Sequence, residues 1–114
     1  MKLDSAILYT NDLSRVVDYY QNVVGLKLDY LQDGSYASFK FANGVSLGIK
    51  LKKEDREVPG MQTVSIATGD ADTLYAKFKN KKVVFYKDLV DQSFGKTFSI
   101  LDPDDNKILF IQRK

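Results

Sequence analysis

The stretch Ser5 to Leu26, SAILYTNDLSRVVDYYQNVVGL, returns 58 positions later as a fainter copy of itself. This duplication constrains the chain more than any other feature. Thr10-Asn11-Asp12 comes back as Thr68-Gly69-Asp70, and at the same offset Val16 falls on Leu74, Val17 on Tyr75, Tyr20 on Phe78 and Asn22 on Asn80. Each copy reads as a strand, a capping acid and a short helix with matching apolar teeth. Seven positions aligned at one offset, six of them alike, mark a repeated structural unit rather than chance.

A chain of 114 residues has room for two such units and little else. Its 44% hydrophobic and 28% charged residues are an ordinary balance for a folded chain. A net charge of +2 is too mild to suggest nucleic-acid binding. The chain has no cysteine, which removes disulfides, thiolate metal sites and thiol catalysis. It also has no histidine, the usual metal ligand and the usual acid/base near neutral pH. No apolar run approaches the roughly 18 residues of a membrane span, and no signal-peptide pattern opens the chain. A cytoplasmic protein with neither nucleic-acid nor membrane partners is expected.

Lys2–Tyr9 alternates as a strand, with Leu3, Ser5, Ile7 and Tyr9 on one face and Ala6 and Leu8 on the other. Asn11 or Asp12 can cap the helix that follows. In Leu13–Val24 the apolar residues recur at three- and four-residue spacing until Gly25. Leu26–Leu31, Ser35–Phe41 and Val45–Leu51 read as three strands, joined through the turn formers Asp33-Gly34 and Asn43-Gly44. Lys52–Gly60, KKEDREVPG, reads as a charged linker. The second copy then supplies a strand at Met61–Thr68, a helix at Asp70–Lys79 and strands at Val83–Tyr86, Lys96–Leu101 and Lys107–Gln112. Asp102-Pro103-Asp104-Asp105-Asn106 has the composition of a tight turn. The expected fold is α+β: two tandem βαβββ modules, residues 1–51 and 61–114, separated by a linker at 52–60.

Three motifs invite chemistry and do not carry it. Gly95-Lys96-Thr97 lacks the earlier glycine and the following helix of a phosphate loop. Lys77, Lys79, Lys81 and Lys82 suit the C-terminal end of a helix, where cations meet the dipole. The aspartates from Asp102 to Asp105 lack the spaced glycine and glutamate of a calcium loop.

Asp12-Leu13-Ser14-Arg15-Val16-Val17-Asp18-Tyr19-Tyr20 running into Val24-Gly25-Leu26, with Asp102-Pro103-Asp104-Asp105-Asn106-Lys107-Ile108, resembles the vicinal oxygen chelate superfamily. That family groups glyoxalases, extradiol dioxygenases, fosfomycin-resistance enzymes and bleomycin-resistance proteins. The resemblance spans essentially the whole chain. Tyr19 stands where the family usually has Phe, and Asp105 where it usually has Gly.

The resemblance implies a curved mixed sheet around a cleft, with metal held by His, Gln or Glu on the first and last strands of the modules. Carried over by position, the four ligand places are Ser5, Leu47, Thr63 and Leu109. None of these side chains holds a divalent ion firmly. Gln62 sits beside Thr63, but one step along a strand turns a side chain to the other face.

The expected function is therefore metal-free binding of a small molecule, of the bleomycin-resistance type: sequestration of an antibiotic or aromatic metabolite, with no cofactor and no catalytic residue. The expected lining is Ser5, Ile7, Tyr9, Tyr36, Lys40, Leu47, Thr63, Phe98 and Leu109, where aromatic rings give contact area and hydroxyls fix orientation. The slight positive charge disfavours a strongly cationic ligand. The alternative is a glyoxalase- or dioxygenase-like enzyme, with relocated metal ligands or metal-independent acid/base chemistry. The resemblance further implies a homodimer, with or without exchange of modules.

Overall fold

The computed structural model describes residues 1–114, which divide into two compact units, Met1–Gly60 and Met61–Lys114. In the first unit β1 (Ser5–Thr10) leads into α1 (Leu13–Asp18), followed by β2 (Leu28–Gln32), β3 (Tyr36–Lys40) and β4 (Ser46–Leu51). Asp12 caps α1, its Oδ1 accepting from the Arg15 amide at 3.3 Å.

The expected helix does not stay α-helical to Val24. Beyond Asp18 it widens into a π-helical turn, Tyr19–Val24, that ends when Gly25 enters the left-handed region at φ 89°. The Gly25 and Leu26 amides both donate to the Tyr20 carbonyl, at 3.1 and 2.9 Å. Val23 and Val24 favour the α conformation weakly. Packing decides the matter, because the wider turn seats both Tyr20 and Val24 in the core, with the Tyr20 ring 6.0 Å from Phe39.

The first sheet runs β1-β4-β3-β2, with β1 parallel to β4 and the other pairs antiparallel. Asp33 and Gly34 take φ values of 46° and 65° at the hairpin between β2 and β3, as the Asp-Gly pair predicts. Leu8, Ala37, Phe39, Leu47 and Ile49 share the face that packs against Val16, Val17 and Tyr20.

Residues 52–60 do not stand apart as a linker. They fold with the first unit, and Glu57 is buried. Its carboxylate accepts from Lys50 Nζ at 2.6 and 2.7 Å and from the amides of Lys53 and Glu54 at 2.8 and 3.1 Å. The Lys50 bond, followed by the two amides, holds its pKa down to about 2 from an ordinary 4.5. A carboxyl depressed in the folded state contributes stability that is complete above its ordinary pKa and lost as pH falls through the folded one. Acid denaturation should therefore steepen between about pH 4.5 and about pH 2, and Glu57→Gln should flatten that part of the stability–pH curve. An unchanged slope in the variant would show that the contact does not bear on folding.

The second unit repeats the plan with β5 (Thr63–Ala67), α2 (Ala71–Lys79), β6 (Val84–Gln92), β7 (Gly95–Leu101) and β8 (Lys107–Arg113), in sheet order β5-β8-β7-β6. Asp70 caps α2 through the Thr73 amide and hydroxyl, at 3.1 and 2.7 Å. Gln112 Oε1 accepts a further helix-end amide, that of Ala71, at 2.7 Å. The core is aromatic: Phe78 and Phe98 lie edge to face at 6.0 Å, and Phe98 stacks on Phe110 at 5.0 Å.

β6 is longer than the expected Val83–Tyr86. Its added residues include Lys87, Asp88 and Asp91, which break the apolar alternation but are tolerated at a sheet edge open to water. Its pairing with β7 shifts register twice, between Phe85 and Lys87 and between Lys87 and Val90.

The final turn is fastened from within. Asp102 Oδ1 accepts from the Asp104 and Asn106 amides at 2.8 and 2.9 Å, and Asn106 Nδ2 donates to Asp102 Oδ2 at 3.0 Å. Asn106 Oδ1 in turn accepts from the Gln62 amide at 3.0 Å. Asp105 takes φ 64°, a conformation that Asp tolerates and that explains the family's usual glycine at this place.

Candidate functional site: the open sheet faces

Each sheet has one face against its helix and one face free of it. Residues paired across strands share a face, so the register sorts every candidate. In the first unit the open face carries Ser5, Ile7 and Tyr9 of β1, Ser46, Gly48 and Lys50 of β4, and Tyr36, Ser38 and Lys40 of β3. In the second it carries Thr63 and Ser65 of β5, Lys107, Leu109 and Ile111 of β8, and Thr97 and Ser99 of β7.

Seven of the nine expected lining residues fall on these open faces: Ser5, Ile7, Tyr9, Tyr36, Lys40, Thr63 and Leu109. Two do not. Leu47 pairs with Phe39 on the helix side and is only 2% exposed. Phe98 is 1% exposed, between Phe78, Phe110 and the ring of Tyr75. Both are core residues, because strand alternation turns them inward.

The counterpart of Leu109 is thus Gly48. Ile7 pairs with Gly48 as Ser65 pairs with Leu109, and Ile7 and Ser65 are 58 positions apart. The last strands are offset by 61 because the β6–β7 hairpin is longer than the β2–β3 hairpin. Gly48 is not vacant space. The Tyr36 ring lies across it, and a methyl group at position 48 would overlap the phenol oxygen. Tyr30 stands beside it, ring centroids 6.1 Å apart. Burial, then the neighbouring Tyr30 and Asp4, push the Tyr36 pKa above its ordinary value, so the phenol stays protonated and able to donate.

The places to which the resemblance assigns metal are therefore Ser5, Gly48, Thr63 and Leu109. A glycine, a leucine and two hydroxyls offer no charged donor. No three Asp, Glu, His or Cys side chains gather anywhere else in the chain. The residues present do not fit a divalent metal centre.

The motifs set aside on sequence grounds have structural partners. Lys96, of the Gly95-Lys96-Thr97 stretch, lies in β7 and reaches Asp72 on α2 at 2.6 Å. Lys79 sits over the rings of Tyr75 and Phe85. Sequence reasoning missed Tyr86 and Lys107 on the second open face, where the Lys107 ammonium lies 5.3 Å from the Tyr86 ring centroid. Only the cross-strand register brings them together, so no linear pattern announces the pair.

No helix is long and apolar enough to cross a membrane. No curated protein matches the chain by sequence. Among solved structures it is similar over its whole length to TnmS3, an antibiotic binding protein from Streptomyces sp. CB03234, with 20% identity, 97% of that chain covered and a TM-score of 0.85. It is similar to TioX from Micromonospora sp. ML1 with 16% identity, full coverage of both chains and a TM-score of 0.83. Lactoylglutathione lyase from Agrobacterium tumefaciens matches 97% of this chain and 92% of its own, with 17% identity and a TM-score of 0.79. At such identities the likeness establishes the fold. The family model "Glyoxalase/Bleomycin resistance protein/Dioxygenase superfamily" matches residues 2–110. The duplicated βαβββ modules thus belong to a member of the glyoxalase/bleomycin resistance protein/dioxygenase superfamily.

Proposed function

We propose that this chain binds a small molecule on its open sheet faces without a metal and without chemistry on the ligand. The observation that carries the reading is the place of Tyr36. Where a metal enzyme of this family would project a carboxylate, Gly48 leaves room and a protonated phenol lies across it. Ser5, Ile7, Tyr9 and Lys40 share the first face with it, and Thr63 and Leu109 belong to the second. Rings supply contact area and hydroxyls orient the ligand, as small-molecule sites require. The structural likeness to an antibiotic binding protein supports sequestration as the purpose.

Metal analysis of untagged protein, purified without chelator, should find no stoichiometric transition metal. One equivalent of Zn, Ni, Mn or Fe would favour the glyoxalase- or dioxygenase-like enzyme instead. In a thermal-shift screen of antibiotics and aromatic metabolites, a true ligand at 100 times its dissociation constant should add about 2.7 kcal/mol of stability. Tyr36→Phe should weaken that ligand while leaving the free protein's melting temperature nearly unchanged.

A further inference from the structure

The ionisable side chains of the second sheet are sorted by face. On the helix side, Asp88 accepts from the Tyr75 hydroxyl at 3.0 Å and lies 3.7 Å from Lys79, while Asp91 pairs in register with Lys96 and reaches Lys114 at 3.4 Å. On the open side the charged residues are Lys87, Lys107 and Arg113, with no carboxylate among the strand residues of that face. None of the three cations makes an ion pair. Asp102, in the turn before β8, has both oxygens engaged by Asn106 and backbone amides. The first open face lacks this bias: Lys50 is neutralised by Glu57, Lys40 lines a surface cavity together with Asp29, and Asp4 stands near enough to raise the Tyr36 pKa.

Lys107 has neighbours that would orient a ligand. Its ammonium lies over Tyr86; Thr63 is its direct partner across β5, and Leu109 follows two residues along the same face. Thr63 and Tyr86 are exposed, so this corner is open to a ligand. A cation resting only on an aromatic face keeps its N–H donors available to an acid group.

We propose that the second open face recognises a small organic anion, its acid group against Lys107 and its flat apolar part on Tyr86 and Leu109. This inference rests on the small-molecule reading above and adds the ligand's charge class and its anchoring residue. A net charge of +2 cannot supply it, because the bias lies in how charges are divided between the faces.

The test compares two fluorescent probes of similar shape, anionic anilinonaphthalene sulfonate and neutral phenylnaphthylamine, by titration of the full chain. The sulfonate should bind more tightly and lose affinity as salt rises. Lys107→Met should weaken it about tenfold, the loss expected for one charge-assisted hydrogen bond. Lys107→Arg should retain the binding, and Lys77→Gln on α2, which removes the same net charge elsewhere, should leave it unchanged. Melting temperatures of the variants separate lost binding from lost folding. Equal binding of the neutral probe, or an unaffected Lys107→Met, overturns the anionic class and leaves small-molecule binding standing. Binding of neither probe overturns the anion assignment and counts against the binding reading as well.

Discussion

Phe98→Ala is expected to destabilise the protein by about 3–5 kcal/mol, a large part of what a domain of this size has to lose. Phe98 is almost wholly buried, stacked on Phe110 and flanked by Phe78, Tyr75 and Phe85. Truncation removes the transfer energy of the ring and leaves a cavity whose walls are other rings, which cannot flow inward to fill it. Urea denaturation would report the loss as a lower midpoint at an unchanged slope. The result also bears on function. A loss under about 1 kcal/mol together with selective loss of ligand binding would place Phe98 on the open face and contradict its packing among these rings.

Asn106→Ala should cost about 2–4 kcal/mol, because one buried side chain closes a buried and a half-buried contact and its removal leaves both partners without it. Nδ2 serves the Asp102 carboxylate, and Oδ1 serves the Gln62 amide at the approach to β5. Asn106 is separated from Gln62 by 44 positions, so the contact ties the start of the second module to its last turn. Amide exchange measured along the chain should show protection falling at Gln62 and at the Asp104 amide more than in α2. Uniform loss across the second module would mean that the turn fails only when the whole unit unfolds.

The module plan was legible in the chain because it rests on local signals: the capping Asp12 and Asp70, the Asp33-Gly34 hairpin, and apolar teeth at helical spacing. The face of each strand residue was partly legible. Simple alternation separates Leu47 from Gly48 correctly, but matching Leu47 to Leu109 spaces the last strands 62 residues apart. The register sets that spacing at 61, and a slip of one residue exchanges the faces. The π-helical turn was hidden because Val23 and Val24 fit an α-helical pattern as well, and only the fit of Tyr20 against Phe39 selects the wider geometry. Tyr86 with Lys107, and Tyr36 over Gly48, depend on contacts across strands that no window of sequence contains.

The two slips in the pairing of β6 have a consequence for how the molecule behaves in a crowd. A regular ribbon offers its outer amides and carbonyls at even intervals, and an incoming backbone can zip along them as it would in a fibril. Here the ribbon is kinked twice within nine residues, so its outward donors and acceptors fall out of step with any straight visitor. Lys87, Asp88 and Asp91 add water-loving obstacles along the same margin. The protein can therefore carry a nine-residue border strand, with Val84, Tyr86 and Val90 bare to solvent, without offering it as a seed for runaway stacking.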